Sequence, residues 1–232
     1  MKRIRANARP LAVKVKTAKG RKISSTRWLQ RQLNDPYVLK AKSIGYKSRA
    51  AFKLIEIDER FNLLKSGMTV IDLGCSPGGW SQVALEKVRS KGEKNTINSL
   101  GRVVGIDLNE PEAIPGLEFH KINFLEIDPI DLIDKLKINN VDVVLSDMAS
   151  SSSGHKKTDH LRIMALCESA ACFAERVLKP GGVFLAKVLA GGAEPELQKS
   201  LKIKFEKVIN FKPPASRKDS SEKYVVAIGF RA

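Results

Sequence analysis

Two ionisable residues stand where the surrounding pattern calls for apolar ones. In VDVVLSDMAS, Asp147 closes an apolar run beside Ser146, and in GGVFLAKVLA, Lys187 interrupts another. A lysine among buried strand residues suffers a large desolvation penalty unless a carboxylate pairs with it. The expectation is an Asp147–Lys187 ion pair at neighbouring strand ends. The competing reading is a lysine whose stem snorkels out to solvent. Lys53 in SRAAFKLIEI and Glu222 in SSEKYVVAIG read, by residue type alone, as ordinary surface charges.

A second group suits a nucleoside ligand. VIDLGCSPGGWS is an apolar run ending in an acid, Asp72, then a glycine-rich turn (Gly74, Gly78, Gly79) and a helix start. Such glycines let backbone approach a ligand closely at the carboxyl edge of a sheet. The spacing is not G-x-G-x-x-G, and the G-K-[ST] ending of a P-loop is missing, which disfavours dinucleotides and nucleoside triphosphates. Asp107, after the run VVGI, can accept both hydroxyl hydrogens of a ribose. Asn123 can accept from an adenine amino group while Phe124 packs on the base. Taken singly, Asp107 reads equally well as a turn acid or helix cap and Asn123 as a turn residue. Their agreement at successive strand ends favours an adenosyl ligand.

The elements that must position these residues alternate. Short apolar runs at Met68–Leu73, Val103–Asp107, Leu117–Asn123, Val141–Ser146, Val183–Lys187, Phe205–Phe211 and Tyr224–Gly229 predict seven strands of a mainly parallel sheet. Between them Gly79–Val88 and Leu161–Leu178 are the clearest helices, and LKPGG is a helix stop and turn. Ahead of the first strand, Ser48 reads as the N-cap of a helix that ends before Gly67. The fold class is therefore α/β, doubly wound. Ser90–Gly101 reads as an inserted surface loop.

Charge is unevenly spread. Of the net +16, residues 1–50 hold 15 Lys or Arg against one acid, Asp35, while the remaining residues hold 26 bases and 24 acids. The excess belongs to an arm, expected to be mobile over residues 1–25, ahead of one domain at 26–232. A basic segment on a near-neutral body fits a polyanion partner, although a charge run alone reads equally well as a solvated tail. No apolar run reaches the ~18 residues of a bilayer span and no secretory signal is recognised, so a cytoplasmic protein is expected. Cys75, Cys167 and Cys172 have no C-x-x-C spacing, which gives neither a disulfide framework nor a metal site.

At this point SSTRWLQRQLNDPYV, SRAAFKLIEI, GMTVIDLGCSPGGWSQVA, VVLSDMA, LKPGGVFLAKV and SSEKYVVAIG, in this order, resemble the FtsJ/RrmJ family of bacterial ribosomal RNA 2'-O-methyltransferases over about residues 24–232. The resemblance implies a Rossmann-like methyltransferase fold that uses S-adenosylmethionine. It implies a catalytic Lys-Asp-Lys-Glu tetrad at Lys53, Asp147, Lys187 and Glu222. The cofactor site maps onto Gly78, Gly79, Trp80, Asp107, Asn123 and Asp147. It also implies ribosomal RNA as partner, a uridine in the A-loop of 23S rRNA in the large subunit as target, and a monomer. Three departures stand out: Asn123 replaces the family's usual acid, SDMAS replaces SDMAP at Ser150, and the amino-terminal extension and the loop near residue 95 look longer than in the prototype.

The implied chemistry is in-line attack of a ribose 2'-hydroxyl on a sulfonium methyl. Lys187 is the candidate base, with Lys53 lowering its pKa by like-charge repulsion, Asp147 orienting it and Glu222 positioning a lysine or the substrate hydroxyl. Alternatively Lys187 stays charged and steers the hydroxyl. Transfer RNA substrates, a catalytically idle RNA-binding relative and a nicotinamide-dependent oxidoreductase are the competing functions.

Overall fold

Every central strand is buried on both faces, so side-chain alternation decides which helix layer each residue meets. A computed structural model of the chain describes residues 13–90, 100–138, 140–149, 154–189 and 194–231. Its strands are β1 (Thr69–Leu73), β2 (Arg102–Asp107), β3 (Leu117–Lys121), β4 (Val141–Ser146), β5 (Leu178–Leu189), β6 (Phe205–Phe211) and β7 (Glu222–Phe230). They form one sheet in the order β3-β2-β1-β4-β5-β7-β6, parallel from β3 to β5, with β7 antiparallel to both β5 and β6. The α/β, mostly parallel architecture is thus as the sequence pattern implied, and its Rossmann-like form as the resemblance implied.

Helices α1 (Ile23–Leu33), α2 (Pro36–Ile44) and α3 (Ala51–Phe61) precede the sheet. Further along lie α4 (Gly79–Val88), α5 (Pro129–Leu136), α6 (Lys156–Val177) and α7 (Glu194–Lys204). One face of the sheet packs Ile71, Val144, Phe184 and Val225 against α5, α6 and α7 through Leu132, Phe173 and Leu201. The other packs Val70, Val143, Leu185 and Val226 against α3 and α4 through Leu54, Ile57, Trp80 and Val83. By the two-residue period, Asp147 (after Val143 and Leu145) and Lys187 (after Val183 and Leu185) belong to the α3/α4 face. So do Tyr224 and Glu222.

Several boundaries move. α6 stops at Val177, as LKPGG demands, but the expected turn is a bulge inside β5. Leu178 pairs with Val141 and Val183 with Val143, so the residues between leave the ladder, with Gly181 at φ +80°. Regular structure begins at Ile23, inside the segment expected to be mobile, and Val13 and Val15 are already tied to Asn34 and Gln30. Ser48 is not a cap: Ala50 occupies that position without a side-chain bond, and the Ser48 hydroxyl is buried without a partner. A Cβ on Gly79 would lie 2.3 Å from that hydroxyl, so the close approach of the two segments explains both residues. α3 ends at Phe61 because Asn62 turns left-handed (φ 52°) and donates its N–H to Asp58. Residues 1–12, most of the Ser90–Gly101 loop and Ser150 lie outside the described residues.

Candidate active site

Each tetrad residue is brought to the site by a different element. β4 and β5 are parallel neighbours with Ser146 opposite Ala186, so the next residues, Asp147 and Lys187, also meet. Lys187 Nζ lies 2.8 Å from Asp147 Oδ1 and also donates to the Asp147 backbone carbonyl at 2.8 Å. β7 runs antiparallel to β5 with Tyr224 directly opposite Lys187 and Glu222 opposite Leu189. α3 lies over this edge and directs Lys53 inward, where Nζ sits 2.7 Å from Glu222 Oε1. The expected Asp147–Lys187 pair is present, and Lys53 and Glu222 form a second pair beside it. Lys53, only 7% exposed, is no surface charge, because α3 buries it against β7.

Tyr224 joins the two pairs. Its hydroxyl accepts from Lys53 Nζ at 3.0 Å and lies 2.8 Å from Asp147 Oδ1 and 3.2 Å from Glu222 Oε1. A phenol has one proton, so the shorter contact, to Asp147, takes it. Burial, then the charges of Asp147 and Glu222, hold the phenol well above its ordinary value. Burial pushes the Asp147 carboxyl up, but Lys187 and Lys53 outweigh it and leave it below the usual carboxylate range. Ser216 Oγ donates to Glu222 at 3.1 Å. Tyr224 is the residue that residue-type reasoning passed over. The available signal was a hydroxyl-bearing aromatic two positions from Glu222, on the same face of an otherwise apolar strand.

On one side of this network is a cavity of about 410 Å³ at the carboxyl ends of β1, β2 and β4, within the range of small-molecule sites. Asp107, Asn123, Phe124 and Asp147 line it, together with Gly74 and Met148. The donor set suits an adenosyl group. Asp107 accepts from the N–H groups of Ser76 (2.9 Å) and Asn109 (2.8 Å), one on each oxygen. A carboxylate has about four lone-pair sites, so acceptor capacity remains for two ribose hydroxyls. Asn123 lies two residues beyond the observed end of β3, and its Oδ1 accepts from Leu125 N–H at 3.3 Å. Phe124 stands edge-on to Phe173, with centroids 5.5 Å apart. A Cβ at Gly74 would come within 2.6 Å of Met148 Cγ, so only glycine keeps that wall closed without displacing it.

Gly78, Gly79 and Trp80 do not line this cavity. Gly78 faces Ile114, Gly79 faces Ser48, and Trp80 is buried with Nε1 donating to Ala50 at 2.9 Å and its ring 5.5 Å from that of Tyr224. Asp72, in β1, also points away from it: Oδ2 accepts from Ser81 Oγ at 2.6 Å and the carboxyl is fully buried.

On the network's other side a smaller concavity, about 280 Å³, is lined by Arg31, Arg49, Arg217, Lys53 and Glu222, among others. Asp35 organises two of these cations. Arg49 Nε lies 3.0 Å from Asp35 Oδ2, too far out of line for a hydrogen bond, and Arg217 lies 3.2 Å away. Among the described residues there is no cluster of three His, Cys, Asp or Glu suited to a metal ion, and no helix long and apolar enough to cross a membrane.

The chain has relatives among known proteins. The chain is 60% identical over 223 residues to a Ruegeria protein named ribosomal RNA large subunit methyltransferase E, which covers 96% of this chain and 93% of the relative. A Parvibaculum lavamentivorans protein of the same name is 55% identical over 225 residues, covering 97% and 89%. A solved ribosomal RNA methyltransferase from Plasmodium falciparum superposes with a TM-score of 0.65 at 33% identity, over 80% of this chain and 98% of that one. The sequence profile of the FtsJ-like methyltransferases matches residues 46–230, from Tyr46 ahead of α3 to the last residue of β7. With the profile spanning every tetrad position and relatives alike over nearly the whole length, the chain belongs to the FtsJ-like methyltransferase family.

Proposed function

We propose that this protein transfers a methyl group from S-adenosylmethionine to the 2'-hydroxyl of an RNA ribose, with a uridine of the 23S rRNA A-loop in the large ribosomal subunit as its target, acting as a cytoplasmic monomer. The observation that carries the reading is the placement of a Lys-Asp-Lys-Glu network, its lysines buried, between a nucleoside-sized cavity and an arginine-lined concavity. Names of the relatives support ribosomal RNA as the substrate.

S-Adenosylmethionine bound in the larger cavity supplies an electrophilic sulfonium methyl. Asp107 would hold the ribose hydroxyls, and Asn123 the adenine edge beside Phe124. The capping Gly78 and, in the first turn of α4, Gly79 and Trp80 would offer backbone N–H groups to the amino-acid end where it extends past the cavity lining. Lys187 already commits two N–H directions to Asp147, which leaves one for a substrate oxygen. That geometry favours a positioning role: Lys187 would aim the 2'-oxygen in line with the methyl, and the hydroxyl proton would pass to solvent as the new bond forms. In the alternative role Lys187 would itself accept the hydroxyl proton. Lys53 and Glu222, coupled through Tyr224, keep Asp147 in place. Residues 1–25 would hold phosphates, giving position without sequence readout.

The test is methyl transfer to large subunits from cells lacking the protein, with the modified nucleotide mapped. Lys187→Ala should abolish transfer while S-adenosylmethionine binding, measured by calorimetry, persists, because Asp107 and the Gly74 turn are untouched. Transfer by Lys187→Ala at the wild-type rate would remove Lys187 from the mechanism. Transfer to transfer RNA alone, or none to any RNA, would favour the competing readings.

A further inference from the structure

α1 buries none of its residues. Its Trp28 is 53% exposed, whereas the chain's other tryptophan, Trp80, is 3% exposed and serves the core. The chain ahead of the helix folds back along it. Asn34 Oδ1 accepts from Val13 N–H at 2.7 Å, Asn34 Nδ2 donates to the Val13 carbonyl at 3.0 Å, and Gln30 Oε1 accepts from Val15 N–H at 3.1 Å. α1 meets the body where Arg31 Nη1 lies 4.0 Å from Asp219 Oδ2, and a large aromatic left facing solvent beside that contact is built like a contact surface rather than a packing element.

Its surroundings indicate what it contacts. Trp28 and Leu29 line a shallow concavity of about 600 Å³ with Arg21 and Arg31. Arg31 also lines the smaller concavity that contains Lys53 and Glu222, so the two depressions meet at one guanidinium. From Val13 to Asn34 the chain carries seven Lys or Arg and no acid. A second copy presenting the same charge would be repelled, and a neutral apolar partner would add nothing to answer these cations, of which Arg31 has Asp219 at 4.0 Å. A polyanion with flat apolar faces satisfies both features: a single strand of RNA, whose bases stack on aromatic rings while its phosphates meet Arg and Lys.

We propose that Trp28 is a stacking platform for an unpaired base flanking the target nucleotide, with Arg31 holding the phosphate that bridges platform and active site. This rests on the RNA reading above and adds to it a strand path: out of the tetrad, past Arg31, onto α1. It makes an unpaired neighbourhood around the target a requirement of binding.

The full chain is tested as wild type, Trp28→Ala, Trp28→Phe and Arg31→Gln against a mixed-sequence single-stranded oligoribonucleotide and an RNA duplex of equal length. Trp28→Ala should weaken single-strand binding roughly tenfold and duplex binding little, with the salt slope unchanged, because a stack releases no counterions. Trp28→Phe should recover most of the loss. Arg31→Gln should flatten the salt slope by about one. In methyl transfer the Trp28→Ala defect should fall on KM. Wild-type single-strand affinity and KM in Trp28→Ala would overturn the platform, as would a wild-type self-association, seen by sedimentation, that Trp28→Ala abolishes. The two readings fail separately. If the wild type methylates RNA but Trp28 is silent, only the platform falls; if it methylates none yet strand binding needs Trp28, only the methyl-transfer reading falls.

Discussion

Replacing Asp72 by asparagine should reverse the sign of its effect on stability between acid and alkaline pH. Asp72 is 0% exposed in the middle of the sheet, below the Gly74 turn. Oδ2 accepts from Ser81, but Oδ1 has no partner. Burial raises its pKa from 3.8 to about 7, with the Ser81 hydrogen bond opposing and the charges of Asp147 and Asp107 adding to the rise. A raised carboxyl pKa means that between about pH 4 and pH 7 the native state holds a proton that the unfolded state has released. Stability therefore falls as pH rises through that window, and the interval corresponds to on the order of 4 kcal/mol once both states are ionised. The asparagine side chain cannot ionise, so the variant escapes this loss and keeps a carbonyl for Ser81. It places an amide N–H₂ where Oδ1 lacks a partner, at a pH-independent cost of about 1–3 kcal/mol. Urea unfolding from pH 4.5 to 8.5 should show Asp72→Asn less stable than wild type below about pH 5 and more stable, by on the order of 1–3 kcal/mol, above about pH 7. Two stability curves that stay parallel across the range would refute the assignment of a protonated, buried Asp72.

Two further outcomes follow from the geometry. Tyr224→Phe removes the hydroxyl shared by Lys53 and Asp147 but leaves both ion pairs, so it should destabilise by about 1–3 kcal/mol in urea unfolding. It should lower kcat less than tenfold, far less than Lys187→Ala, with S-adenosylmethionine affinity unchanged by calorimetry. Deleting residues 1–12 keeps the Val13 and Val15 bonds to α1 while removing four Lys or Arg, so the plot of log affinity for RNA against log salt should become shallower by about three units, and an unchanged slope would make that stretch of the arm a bystander.

Much of the layout is legible in the chain because buried parallel strands are short apolar runs with chain-breaking residues between them, and the structure places a strand at every expected position. The Asp147–Lys187 pair is legible for the same reason: a charge inside such a run needs a partner, and the adjacent strand end is the nearest source. Ends defined by side-chain packing are not. Ser48 has the residue type of a cap, yet packs its hydroxyl against Gly79, and the LKPGG turn is absorbed into β5 as a bulge. Nothing in the local sequence distinguishes these outcomes, because the deciding neighbour is remote in the chain.

The same distinction runs through the active site. Residue types and spacing by themselves determined an α/β chain with a glycine-rich sheet edge, acceptors at Asp107 and Asn123, a buried ionic pair and a basic amino-terminal segment. Only the tertiary structure decided that Lys53 and Glu222 are partners, since they lie on α3 and β7 and meet because β7 inserts antiparallel beside β5 under that helix. It decided, too, that Tyr224 joins the two pairs, because strand register sets it opposite Lys187. A sequence states which groups are present; the distance between charges, on which their energy depends, is set by how the sheet is ordered.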